Sequence, residues 1–161
     1  MMKIILPADK CLKLHISYFN RFEKVIGKMK KGILCAIDFS ASSKVALRWS
    51  VEFAKELDVP LTILYAYRLQ KSQADMAVEF KKRAEADASQ NFLKLETELL
   101  ANQGVAYEFK SEVGFIADRV KDHASKKGMS FMVIDQKMSA SNKESFDELL
   151  KEVHVPLVIV P

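Results

Sequence analysis

The sequence predicts an α/β domain, a three-layer open sheet of five parallel strands with helices on both faces, Rossmann-like in type. Three observations carry this. Short continuous apolar runs recur along the chain, the mark of strands buried on both faces. Amphipathic stretches separate them, and parallel strands need such crossover helices. Ser, Gly and Pro stand at the joints. From residue 32 the order reads β-α-β-α-β-α-β-α-β. The order of strands within the sheet does not follow from this pattern.

Gly32-Ile-Leu-Cys-Ala-Ile-Asp38 is the first such run. Ser40 then offers a side-chain cap to a helix carrying Ala46, Trp49, Phe53 and Leu57 inward, and Pro60 separates it from the next strand. That strand is Leu61 to Tyr67. Met76, Phe80, Ala84, Ala88, Phe92, Leu95 and Leu99 recur at helical spacing and predict a long second helix, with Gly104 as its C-cap. Val105, Tyr107 and Phe109 alternate with shorter or polar residues, as a strand near a sheet edge would. Gly114 opens a turn into a helix with Ile116, Val120 and Ala124, closed by Gly128. Phe131-Met-Val-Ile134 is the fourth run. A helix over about Lys143 to Val153, with Phe146, Leu149 and Leu150 inward, leads through Pro156 to the last strand, Leu157-Val-Ile-Val160.

Composition narrows the function classes. The chain has 161 residues, enough for one domain with a core. No apolar run approaches the roughly 20 residues a spanning helix needs, and Met1 to Lys13 lacks the pattern of a signal peptide. Cys11 and Cys35 form no CxxC; Cys35 is expected to be a small core residue, and a reducing cytoplasm is the expected location. Of the formal +4, residues 1–31 carry +6, from eight cations and two anions, which leaves −2 for the domain. A nucleic-acid partner is therefore not expected.

The first 28 residues form a basic amphipathic extension before a domain at 29–161. Leu12, Ile16, Phe19, Phe22 and Ile26 fall on one helical face among Lys13, Arg21, Lys24 and Lys28. Three readings stay open. The stripe docks on the domain or at a dimer interface, which is favoured because an apolar stripe must be buried somewhere. The start at Met1 lies upstream of a native start at Met29. Or the segment is an adaptor for an anionic membrane or an acidic partner, with a membrane the less expected of the two.

No Walker A, GxGxxG or Gly-x-Ser-x-Gly sequence is present, so catalysis has no motif behind it and no enzyme is expected. His15, His123 and His154 are scattered and predict no metal site. Asp38 ends the first strand, where a carboxylate could accept hydrogen bonds from a ligand in the crevice or could simply order the turn. Ser40, Ser42 and Ser43 crowd a helix start, where capping competes with anion binding. Ser139, Ser141, Asn142 and Ser145 make a hydroxyl-rich stretch, flanked by Lys137 and Lys143, read either as ligand contacts or as a plain polar loop in which Ser141 or Asn142 caps the last helix.

Met29-Lys-Lys-Gly-Ile-Leu-Cys-Ala-Ile-Asp-Phe-Ser40, Ala46 to Ala54, Leu61-Thr-Ile-Leu-Tyr-Ala66, Val113-Gly114 with Ile116, and Val155-Pro-Leu-Val-Ile-Val160 together resemble the universal stress protein family over 29–161. The resemblance implies a five-stranded parallel sheet in the order 3-2-1-4-5. It also implies a homodimer paired through the last strand, here Leu157, Val158, Ile159 and Val160. In some members ATP binds at the carboxyl ends of strands 1 and 4. By that resemblance Asp38 and Ala66 match nucleotide-contacting positions, and with Ser40, Ser139, Ser141 and Ser145 they form the candidate cofactor-binding set. ATP-binding members carry Gly-x2-Gly-x9-Gly-Ser/Thr after strand 4, where glycines let backbone amides approach phosphates. The corresponding stretch here, Asp135 to Ser145, is shorter and contains no glycine. A carboxylate at 135 would also repel phosphate. The expectation is a stress-response or regulatory binding protein that needs no cofactor and holds no ATP. The alternative is a nucleotide site altered to use hydroxyls.

Overall fold

A computed structural model of the chain describes residues 3–5, 32–69, 77–127, 129–152 and 155–161. Its elements in order are β1 (Lys3–Ile5), β2 (Ile33–Ile37), α1 (Ala41–Leu57), β3 (Leu61–Tyr67), α2 (Ala77–Leu95), a π-helical turn (Glu96–Leu100), β4 (Tyr107–Val113), α3 (Ile116–Lys127), β5 (Phe131–Asp135), α4 (Gln136–Ser141), α5 (Lys143–Glu152) and β6 (Leu157–Val160). The apolar stripe Leu12 to Ile26, and Cys11, His15, Met29, Met76, Gly128, Val153 and His154, lie outside the described residues.

The sheet runs β1-β6-β5-β2-β3-β4. Counted in chain order, its five parallel strands stand 3-2-1-4-5, as the resemblance implied. One strand was not anticipated. β1 pairs antiparallel with β6, matching Lys3 with Ile159, Ile4 with Val158 and Ile5 with Leu157. The β6 edge is therefore paired within the chain.

Strand alternation divides the interior into two layers. Ile33, Cys35, Ile37, Phe131, Val133, Val158 and Val160 face α1 and α2, with Leu47, Phe53 and Phe92 among the residues packed on them. Leu34, Ala36, Met132, Ile134, Leu157 and Ile159 face α3 and α5, under Val120, Phe146 and Leu149. Phe131 and Phe146 are fully buried on opposite sides. Each contributes about 1.5–3 kcal/mol of burial.

Local signals set the helix ends. Ser40 caps α1 by accepting from the Ser43 amide at 3.2 Å. Asp58 closes it in the left-handed conformation, its amide donating to the Ala54 and Lys55 carbonyls. β4 is the far edge strand, half-buried along most of its length.

Three expectations need correction. Trp49 is 45% exposed rather than core. The buried arc of α1 runs through Ala46, Leu47, Ser50, Val51 and Ala54, and Trp49 lies on its flank beside Phe53, ring centroids 5.8 Å apart. Gly104 does not cap α2; the helix passes into the π-helical turn, whose end at Ala101 donates to the Glu96 carbonyl. Gly104 instead adopts φ 70 further along the connection. The stretch after β5 is not a loop, since residues 136–141 are helical and Asp135 is the N-cap.

Candidate functional site

The carboxyl ends of the parallel strands frame the site. At the end of β2 the chain turns sharply into α1. Asp38 Oδ1 accepts from the Ser40 amide at 2.9 Å, which closes an Asx-type turn. Ser40 Oγ lies 3.0 Å from Ser42 Oγ, and the Ser43 hydroxyl donates to the Ser40 carbonyl at 3.1 Å. Partial burial pushes the Asp38 carboxyl upward. Hydrogen bonding from Ser40, its hydroxyl first and then its amide, outweighs this and holds it below its ordinary value. Asp38 and Ser40 are thus engaged with their own turn.

Phe39, between them, adopts φ 63. That conformation costs an L-residue about 1–2 kcal/mol. Its ring packs 4.7 Å from Tyr65 and 6.3 Å from Phe109, contacts that hold the turn in place.

A cavity of about 730 Å³ opens on the α3–α5 side. Ala66 and Arg68 from the end of β3 form one wall, Gly114, Phe115 and Ile116 at the start of α3 a second, and residues 140–145 across the α4–α5 junction the third. Gly114 is required there. Its φ of +139 disfavours any side chain, and a Cβ would meet Arg119 Nε at 3.0 Å. Its amide donates to the Tyr67 carbonyl at 2.8 Å, tying the α3 turn to the end of β3.

The structure brings Ala66, Ser141 and Ser145 together on this cavity. Asp38, Ser40 and Ser139 do not line it. Among the lining residues that escaped the sequence reading are Arg68, Phe115 and Glu144. The Arg68 guanidinium carbon sits 5.2 Å over the Phe115 ring, a cation–π pair across the mouth. The available signal was an aromatic side chain directly after the turn glycine, and Phe115 is 57% exposed. Lys143, also on the cavity, pairs with Asp147 at 3.2 Å. The cavity lining offers an aromatic ring, the cations Arg68 and Lys143, hydroxyl groups and one carboxylate, Glu144, to a small planar polar molecule.

At the end of β5, Asp135 is fully buried. Its Oδ1 accepts from the Met138 amide at 2.9 Å, while Oδ2 has no hydrogen-bond partner. It follows Phe131 and Val133 on the α1 side of the sheet by strand alternation. Cys35 lies on the same side of the sheet, near enough to feel its charge. Burial pushes the Cys35 thiol up to about 12, a hydrogen bond with Ser50 opposes this, and the Asp135 charge adds to the rise. Ser50 also donates to the Ala46 carbonyl at 2.8 Å. Elsewhere, buried His123 Nε2 lies 2.8 Å from Glu112 Oε1. Among the described residues no group of His, Cys, Asp and Glu could hold a metal ion, and no helix is long and apolar enough to cross a membrane.

The family model described as "Universal stress protein family" matches residues 29–161. A comparison with curated protein sequences finds no match. Among solved structures, the universal stress protein UspA from Lactobacillus plantarum superposes with TM-score 0.68 at 13% identity, covering 82% of this chain and 98% of that one. A universal stress family protein from Burkholderia pseudomallei gives 0.67 at 19%, covering 84% and 98%. The universal stress protein from Archaeoglobus fulgidus, solved in complex with dAMP, gives 0.61 at 16%, covering 81% and 98%. At these identities the structures speak for the fold, while the family model spans most of the sequence. The chain belongs to the universal stress protein family.

Proposed function

We propose that this protein is a regulatory, stress-response binding protein of the cytoplasm, not an enzyme, and that it does not hold ATP through a phosphate loop. The observation that carries this is the segment after β5. Asp135 caps a helix there, and α4 leads at once into α5 through Asn142, whose carbonyl accepts from the Phe146 amide at 3.0 Å. A glycine loop would offer a row of free backbone amides to phosphates. Here the Met138 amide donates to Asp135, and that of Asn142 to the Met138 carbonyl at 3.1 Å. Isothermal titration of the full chain with ATP–Mg²⁺, with mass analysis for co-purified nucleotide, tests the reading. No heat and no nucleotide are expected, and micromolar affinity would overturn it.

A second reading has its own observation, the convergence of Ala66, Ser141 and Ser145 with Arg68 and Phe115 on one cavity. A nucleoside monophosphate needs fewer phosphate contacts than ATP, and the Archaeoglobus fulgidus relative was solved with dAMP. On this reading Phe115→Ala and Ser141→Ala each weaken dAMP binding about tenfold or more, the loss of one stacking or charge-assisted contact. Equal affinity in both variants would remove the cavity as the site.

A further inference from the structure

The two flanks of α1 differ. Lys44 and Lys55 tie one of them to the π-helical turn and the connection after it, through Glu98 at 3.0 Å and Gln103 at 3.1 Å. The other carries Val45, Trp49, Glu52 and Glu56, three or four residues apart and so in one row. All four are exposed. The row is apolar toward the start of the helix and acidic toward its end. Glu52 holds Lys55 at 3.8 Å, and among the described residues no cation pairs with Glu56. The sheet fixes where the row looks. α1 packs over β2 and β5, with the Phe53 ring edge-on to Phe131 at 5.6 Å, and α2 lies on the β3–β4 side. The row therefore faces the β6 and β1 side of the molecule.

We infer that this row is the docking face for the chain's own basic stripe, residues 12–26, with Trp49 as its anchor. Connectivity brings the stripe here. Ile5 pairs with Leu157, the first residue of β6, and Gly32 directly precedes β2, so residues 6–31 leave and rejoin the sheet at the same end. β6 and β5 stand between β1 and β2, which makes three strand spacings, about 14 Å. As a helix, residues 12–26 span about 22 Å, close to the roughly 25 Å of α1. That length suits a course along α1 better than one across the gap. Residues 6–11, about 20 Å when extended, reach the start of α1 from the end of β1. The stripe and α1 then run in the same direction. The start of the stripe comes beside Val45 and Trp49, and the end bearing Arg21, Lys24 and Lys28 beside Glu52 and Glu56. Charge favours this match, since residues 1–31 carry +6 and the rest of the chain −2. A tryptophan meeting an apolar stripe is the kind of contact that carries docking energy, and tethering at both ends makes a second molecule unnecessary. The basic extension is thereby assigned to its own domain rather than to a membrane.

Trp49 is the single tryptophan of the chain, so its fluorescence reports on this face alone. Acrylamide quenching of the full chain is compared with that of two double variants, Phe19→Glu with Phe22→Glu, and Glu52→Lys with Glu56→Lys. The unmodified chain is expected to shield Trp49 without lipid and equally on dilution. Both variants are expected to shift the emission to longer wavelength and to raise the quenching constant. Equal quenching in the unmodified chain and the phenylalanine variant would overturn the proposal. So would shielding that is lost on dilution, which means that a second copy covers Trp49. Shielding that appears only with vesicles of anionic phospholipid would overturn it as well, by placing the stripe on a membrane. Should the phenylalanine variant not fold, the glutamate variant decides, because both of its positions are exposed, and unchanged quenching there overturns the proposal.

Discussion

The Met138 amide donates to Asp135 Oδ1 at 2.9 Å, so the residue that ends β5 also starts α4, while its other carboxylate oxygen is buried without a donor. One oxygen works and the other is a liability. Asparagine caps as well as aspartate but carries no charge. Asp135→Asn keeps the cap but places an amide nitrogen where Oδ2 has no partner, so it is expected to change stability by less than about 1 kcal/mol in urea unfolding at neutral pH. Asp135→Ala, which also loses the cap, should fall about 1 kcal/mol below the asparagine variant. Equal losses in both variants would mean that the charge itself has a structural partner.

Cys35 supplies an alkaline signature. Its thiol is held neutral up to about 12 in the fold, against an ordinary 9.0. The contribution to stability is complete below 9.0 and is lost as pH rises toward 12, because only the unfolded chain ionises in that window. Cys35→Ala should make the alkaline fall shallower in a pH series of unfolding midpoints, leaving the part due to Tyr65, Tyr67 and Tyr107, whose hydroxyls are also held above their ordinary value. In a Cys11→Ser background, thiol labelling at pH 8 should proceed no faster than unfolding. Rapid labelling would contradict a buried, protonated thiol.

Asp38 acts in the opposite direction. Its carboxyl sits below the ordinary 3.8, so its stabilisation is present above that value and is lost as pH falls through the lower folded value. The stability gap between the native chain and Asp38→Ala should narrow through this acid range. The effect should be small, since the group is exposed and screened. A gap unchanged from neutral pH to pH 2 would show that Asp38 contributes nothing as a charge.

Gly114 and Gly104 both have positive φ, but their surroundings differ. A Cβ at 104 would meet nothing within 4 Å, while at 114 it would press on Arg119. Gly104→Ala should cost about 1 kcal/mol through backbone strain alone. Gly114→Ala should cost more, about 2–3 kcal/mol, and should disturb the cavity wall. Thermal unfolding of the pair settles the order.

Much of the fold was legible because its signals are local or periodic. Ile33 to Ile37 and Phe131 to Ile134 read as two-sided strands because every residue in them is apolar, and every one is buried. Ser40 read as a cap because a hydroxyl before an amphipathic run satisfies the first free amides, and it does. Trp49 misled because helical spacing locates an apolar arc but not where its flank ends. Of the six candidate site residues, the three at strand and helix ends facing the α3–α5 side met on the cavity, while Asp38 and Ser40 were taken up by their own turn.

The sequence by itself determined the family, the two-layered core and the five parallel strands, because hydrophobic periodicity states which side of each element must leave water. Only the tertiary structure decided the rest. Arg68 and Phe115 belong to different elements, and their contact exists only once Gly114 is tied to Tyr67. Residues 136–141 are too few to declare themselves helical without the Asp135 cap and the packing of Met138. Lys3 to Ile5 carry almost no strand signal of their own. They become a strand because β6 presents unpaired backbone groups, and an edge is a property of the assembled sheet rather than of any one segment.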